Sequence, residues 1–255
     1  MPELTTELLL ALLPFIAVGF VAQIVDGALG MAYGVISNTL LLSIGVPPAA
    51  ASAGVHAAET FTTAASGISH IYHRNVDWNL FARLAVPGVI GGVLGAYVLT
   101  QIHADKARPF VLAYLACIGL YLIWRGRHIA DVHKPARVVA PLGLIGGFLD
   151  AAGGGGWGPV VTGNLLVQGT NPRMTIGTVN AAEFVLALTV SITFFLGMGW
   201  QAFTVATAGL LIGGVVAAPL AAVVVGKTRP KTLLIAVGTL LTITSAFGIY
   251  RSLMS

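Results

Sequence analysis

The stretch DGALGMAYG at residues 26–34 returns 124 positions later as DAAGGGGWG at 150–158. Each copy interrupts an apolar run with an aspartate followed by glycines. The likeness extends outward. Laying 19–59 on 143–183 without a gap matches Gly19, Asp26, Ala28, Gly30, Gly34, Leu41, Leu42, Gly45, Pro48, Val55, Ala57, Ala58 and Glu59 to the same residue type, 13 of 41 positions. Apolar bias makes matches of Ala, Leu and Gly cheap. It does not readily explain two matched acids in a chain with nine Asp and Glu. More loosely, Gly91-Gly92 corresponds to Gly213-Gly214 after a two-residue deletion. The chain therefore reads as two related halves.

Composition fixes the class. Of 255 residues 56% are hydrophobic and 9% charged, against roughly 25% charged in a soluble domain, and the mean hydropathy is +0.91. So few charges cannot build a water-soluble surface, so the chain reads as an all-α integral membrane protein. The net charge of +4 does not point to nucleic acid, because the basic residues lie between apolar segments as topology signals do. Cys117 is the one cysteine. It excludes an internal disulfide or a cysteine metal cage and is expected as a small core residue. Glu3 and Glu7 precede the first apolar run; a signal peptide favours a positive start, so that run is expected to be retained.

A membrane helix needs about 20 apolar residues to cross about 30 Å of hydrocarbon. Full-length candidates lie at about 48–70, 80–101, 108–125, 172–197, 202–225 and 231–252. Shorter or broken ones lie at about 8–25, 30–45, 138–149 and 158–169, with breaks expected at Asp26-Gly27 and at Asp150 with its glycine run. The short segments fit two readings: complete crossings, or paired hairpins that enter and leave on one side. Either way each half has an odd number of crossings, so the halves have inverted topology, with about eight to ten membrane segments in all. The halves are 1–125 and 138–255, joined by a polar cytoplasmic linker at 126–137. With both termini outside, ten of the thirteen Lys and Arg fall on the cytoplasmic side, leaving Lys106, Arg108 and Arg251 opposite, as the positive-inside rule requires.

Asp26 pairs with Asp150 and Glu59 with Glu183. The glutamates sit near the middle of full-length helices, where an unpaired charge is costly and an acid is a functional candidate by default. A folding role through hydrogen bonds across the repeat interface is the alternative. For the aspartates, capping a broken helix competes with solute contact. The glycine loops, Gly27 and Gly30 in one half and Gly153, Gly154, Gly155, Gly156 and Trp157 in the other, can expose backbone N–H groups beside a helix start and bind anions. Close helix packing by small residues also explains them. His56 precedes Glu59 by three residues as Asn180 precedes Glu183, so each acid shares a helix face with a polar neighbour. Asn38 and Asn164 add amides in the short segments. No HExxH, GxSxG, paired CxxC or P-loop pattern is present, which argues against an enzyme, a resident metal or cofactor, or ATP-driven transport.

The paired motifs VDGALGMAYG with PPAAASAGVHAAE, and LDAAGGGGWGP with NPRMTIGTVNAAE, resemble the TauE/SafE family of membrane transporters over nearly the whole chain. The resemblance implies a secondary transporter in a bacterial inner membrane that moves small sulfur-containing anions such as sulfite, sulfoacetate or other organosulfonates. The implied partners are a small anionic solute and the lipid bilayer, with a homodimer left open. Gly27, Gly30, Asn38, His56 and Glu59, with Gly153 to Gly156, Trp157, Asn180 and Glu183, match the motifs. This reading puts no Lys or Arg at mid-membrane. The expectation is that loop amides, His56 and the asparagines hold the anion, while Glu59 or Glu183 exchanges protons. On electrostatics alone the acids fit a cation or metal permease equally well.

Overall fold

A computed structural model describes residues 6–29, 31–127, 136–168, 170–225 and 230–254. Every regular element among them is helical. The first half holds α1 (Thr6–Leu29), α2 (Tyr33–Ser43), α3 (Pro48–Tyr72), α4 (Trp78–Gln101) and α5 (Ala104–Arg127). The second holds α6 (Ala140–Gly153), a π-helical turn (Trp157–Thr162) leading into α7 (Gly163–Val167), α8 (Pro172–Met198), α9 (Val205–Val225) and α10 (Pro230–Met254). Pro48 and Pro172 sit in the first turn of α3 and α8, where proline's missing N–H costs nothing and its φ is preset. The Asp77 carboxylate accepts from the amides of Asn79 and Leu80 and starts α4.

The helix directions can be read from packing. Along α4, Gly88, Gly91 and Gly95 lie against Gly143, Leu144 and Phe148 of α6 in rising order, so the two helices run parallel. Gly209 and Gly213 of α9 likewise follow Leu12 and Ile16 up α1. The equivalent helices of the two halves run antiparallel. In α3 and α8, His56 faces Phe194 and Gly67 faces Ala181. In α5 and α10, Gly119 lies against Gly238 and Gly126 against Lys231. A repeat axis along the membrane normal would keep equivalent helices parallel. Antiparallel pairs require the axis in the membrane plane, which is an inverted repeat.

The same directions decide between the two readings of the short segments. Gly54 and Thr62 of α3 face Thr207 and Gly214 of α9, so α3 also runs parallel to α9 and hence to α1. The chain must return between α1 and α3, and α2 is the returning arm. With 11 residues it covers about 16 Å, half of the apolar thickness. By the same argument α6 and α7 form the second hairpin, entering from the opposite end. Among the described residues, the breaks fall at 31–32 and at 154–156. The first is later than Asp26-Gly27: both residues remain helical and α1 runs on to Leu29. The expectation that the first segment is short also fails, because α1 has 24 residues. It begins well before Ile16, the position equivalent to the start of α6 at Ala140.

All described basic residues except Lys106, Arg108 and Arg251 gather at one end, hereafter the basic end. There Arg173 donates from Nε to the Asn75 side chain at 2.7 Å, Gly126 packs on Lys231, and the Gln168 amide oxygen accepts from the Arg137 backbone at 2.9 Å. Exposed Tyr72, Trp78 and Trp124 ring this end, and Trp200 and Tyr250 the other, the two aromatic belts of a bilayer-spanning protein. Between them Val86, Ile90, Phe110, Leu196, Ile243 and Phe247 are exposed, an apolar surface that lipid covers. Cys117 belongs to this outer surface rather than the core.

Candidate functional site

The two hairpin tips meet inside the protein. A side chain at Gly34 would come within 3.2 Å of the Gly155 Cα, and one at Gly158 would press on Met31. Asn38 of α2 donates from Nδ2 to the Gly153 carbonyl at 3.2 Å. Gly154 and Gly155 hold φ values of +70° and +133°, a region that residues with a Cβ enter at a cost. Ala32 occupies the first break with φ 130° despite carrying one.

The aspartates do the same job in both halves. Asp26 accepts from the Tyr33 amide at 3.1 Å, and Asp150 Oδ1 accepts from the Trp157 amide at 2.8 Å. Each acid sits in the last turn of the first hairpin arm and satisfies the first amide of the next helical element, an interaction the helix dipole favours. Asp150 also occupies much of the second loop, because its carbonyl accepts from the amides of Gly154 and Gly155. The amides expected to cradle an anion are to that extent already engaged by the chain itself.

Asp150 also bridges the halves. Its Oδ2 lies 3.0 Å from His56 Nε2, with His56 0% and Asp150 3% exposed. The other imidazole nitrogen, Nδ1, lies 2.8 Å from the Ser52 carbonyl. A carbonyl only accepts, so Nδ1 carries a hydrogen. The link to Asp150 then needs a second proton, held by imidazolium or by carboxylic acid. Ser52 donates its own hydroxyl to the Ala151 carbonyl at 2.8 Å, which locks α3 to the end of α6.

Glu59 lies 4% exposed in the same cluster and accepts a hydrogen bond from the Gly34 amide. It interacts electrostatically with Asp150, Glu183 and Asp26, and Glu183 with Asp26 and Asp150. All four paired acids thus converge on the hairpin tips. His56, Glu59 and Asp150 each offer a ligand atom, and these atoms lie within 4.8 Å of one another.

The remaining candidates separate. Asn180 donates to the Ile176 carbonyl of its own helix, and Asn164 to the Val160 carbonyl of the preceding π-helical turn. The Trp157 ring is fully buried against Gly88 and Gly146, and its indole N–H donates to the Val179 carbonyl. Gly27 lies in the last turns of α1, and Gly30 lies outside the described residues.

A profile described as "Sulfite exporter TauE/SafE" matches residues 15–247. The chain is a member of the TauE/SafE family. The "Probable membrane transporter protein YtnM" of Bacillus subtilis (strain 168) is 42% identical over 247 residues, covering 92% of this chain and 81% of that protein. No solved structure matches significantly. This TauE/SafE chain is therefore a multi-pass membrane transporter, and the inverted hairpins are the part of its fold that brings polar groups together inside the bilayer.

Sequence reasoning missed several groups around the site of this TauE/SafE protein. Ser52 carried a signal, since it sits four residues before His56 and so on the same helix face. Tyr33 is the counterpart of Trp157 at the repeat offset. Tyr114 carried none: its place against Gly153 and Gly156 comes from the docking of α5 on the second hairpin.

Proposed function

We propose that this transporter moves small sulfur-containing anions, such as sulfite, sulfoacetate or other organosulfonates, across a bacterial inner membrane, coupled to protons through the acids at the hairpin tips. The observation that supports this most is the His56–Asp150 link at 3.0 Å. It joins the two inverted halves and contains one proton that either partner can hold. A movement that separates the hairpin tips breaks the link and releases that proton to the neighbouring acids. Glu59 and Glu183 lie within electrostatic reach of it and are assigned the exchange. The family description and the name of the Bacillus relative favour transport, and sulfite is the anion in the family's printed description. With the basic end cytoplasmic under the positive-inside rule, both termini are periplasmic.

The test is flux of sulfite and sulfoacetate into proteoliposomes under an imposed pH gradient. Wild type should respond to the gradient, while Glu59→Gln and Glu183→Gln should transport more slowly and lose that response. Unchanged pH dependence in both variants removes the coupling role. A second reading, a cation permease, draws on the compact His56, Glu59 and Asp150 ligand set. Thermal stabilisation by divalent cations and not by sulfite or sulfoacetate would favour it.

A further inference from the structure

An anionic cargo must approach four acids at the hairpin tips, and α5 supplies a cation along the way. Tyr114, Tyr121 and Arg125 are spaced by seven and four residues, which puts them on one helix face. That face packs against the second hairpin. The Tyr114 ring lies against Gly153 and its hydroxyl beside Gly156, and the Tyr121 hydroxyl and Arg125 guanidinium lie beside Gly163. A Cβ placed on Gly163 would be 3.0 Å from the Tyr121 oxygen and 2.7 Å from Arg125 Nη1, so the two donors converge on one point.

Each of these polar atoms is enclosed and has no hydrogen-bond partner among the described residues: Tyr114 Oη, Tyr121 Oη and Arg125 Nη1, with Thr162 Oγ1 just before α7. Arg125 is only 8% exposed, and no described carboxylate forms a salt bridge with it. A buried guanidinium that pairs with no described carboxylate is expensive in protein and more so in a bilayer. Hydroxyls in that position also cost unless something pairs with them. All four groups can donate a hydrogen bond, which suits an oxyanion.

We infer that this face of α5 is the solute's route between the basic end and the hairpin tips, with Arg125 as its anion-capturing group and Tyr121 and Tyr114 as successive donors. The inference rests on the proposed anion transport and deepens it by assigning the specificity-determining cation. From Arg125 to Tyr114 the route runs 11 residues of helix, about 16 Å. In this conformation the donors are enclosed and the route is closed. It opens when the second hairpin moves away from α5.

Thiol accessibility tests the route without depending on the cargo. In a Cys117→Ser background, Tyr121→Cys and Tyr114→Cys are placed singly and exposed from the basic end, in inside-out vesicles. The probes are an anionic sulfonatoethyl and a cationic trimethylammonium-ethyl methanethiosulfonate. Both positions should react, and at Tyr121→Cys the anionic reagent should be favoured by about tenfold. Adding Arg125→Gln should abolish that preference and Arg125→Lys should retain it; the lysine variant keeps the test alive if the glutamine variant fails to fold. Arg127→Cys at the helix end is the reactive control. The inference falls if Arg127→Cys reacts while neither tyrosine position does, or if Arg125→Gln leaves the charge preference intact. In flux assays Tyr121→Phe and Arg125→Lys should raise the KM for sulfite more than they lower kcat. Reactivity with the expected preference but no flux of any sulfur anion supports the route and removes the cargo assignment. Sulfite flux through a protein whose tyrosine positions stay unreactive removes the route and leaves the cargo.

Discussion

Asp150 carries two separable duties. It caps the second half-helix through the Trp157 amide and it faces His56. Asparagine retains an oxygen for the Trp157 amide and offers an N–H to a neutral His56, but it cannot share a proton with the ring. Asp150→Asn should therefore fold with a thermal stability near wild type and lose the pH response of transport. Asp150→Ala loses the cap as well, which costs about 1–2 kcal/mol and should appear as a lower melting temperature in detergent. Equal stability of the two variants would show that the cap contributes nothing. Ala32 offers the opposite case. Its φ of 130° carries about 1–3 kcal/mol of strain, whereas glycine adds about 0.5–1 kcal/mol of chain entropy. Ala32→Gly should raise stability by about 1 kcal/mol, read as an upward shift of the thermal transition.

At the scale of elements, the hairpins are held by glycine contacts with helices of the other half. A side chain at Gly91 would run into the Leu144 carbonyl and the Phe148 amide. One at Gly213 would run into the Ile16 carbonyl and the Phe20 amide. The two sites are repeat equivalents, and each meets a backbone carbonyl and the amide four residues on in the partner helix, so Gly91→Val and Gly213→Val should be similarly damaging. Both collide with backbone, which cannot move aside as a side chain can, and overpacking of this kind costs about 1–3 kcal/mol or more. The expected result is loss of the monodisperse peak in size-exclusion chromatography of detergent extracts. Gly67→Ala meets nothing closer than 3.4 Å and should leave the peak unchanged. These contacts explain what could be read from the sequence. Helix positions followed from apolar length and came within a few residues for α3, α4, α8 and α10, because crossing a bilayer sets a length. The capping by Asp26 and Asp150 was available from the repeat. Which atom of one half meets which atom of the other was not. His56 and Asp150 are 94 positions apart, and the polar face of α5 looks like scattered residues in an apolar run until the second hairpin is docked on it.

The whole molecule follows from inversion. Antiparallel α3 with α8 and α5 with α10 put each half upside down relative to the other, so one hairpin enters from each membrane face and their tips must meet within the bilayer. Inversion also disposes of the charges. Described basic residues from loops and helix ends of both halves collect at one end, leaving Lys106, Arg108 and Arg251 at the other, where Arg108 donates to the Leu42 carbonyl at the end of α2 at 2.8 Å. A cation at a helix C-terminus is favourable by about 0.3–1 kcal/mol, so Arg108 has a structural role that offsets its position on the side the positive-inside rule disfavours. The proposed orientation follows the rule, with the basic end in the cytoplasm. Alkaline phosphatase fused after Ser255 should be active, and the same enzyme fused after Arg127, at the basic end of α5, should be inactive. A green fluorescent protein at the two positions should give the reverse pattern. Because the halves are inverted and each crosses an odd number of times, the two fusions must report opposite sides. Identical signals from both would contradict the helix directions themselves, and not merely the assignment of which end is cytoplasmic.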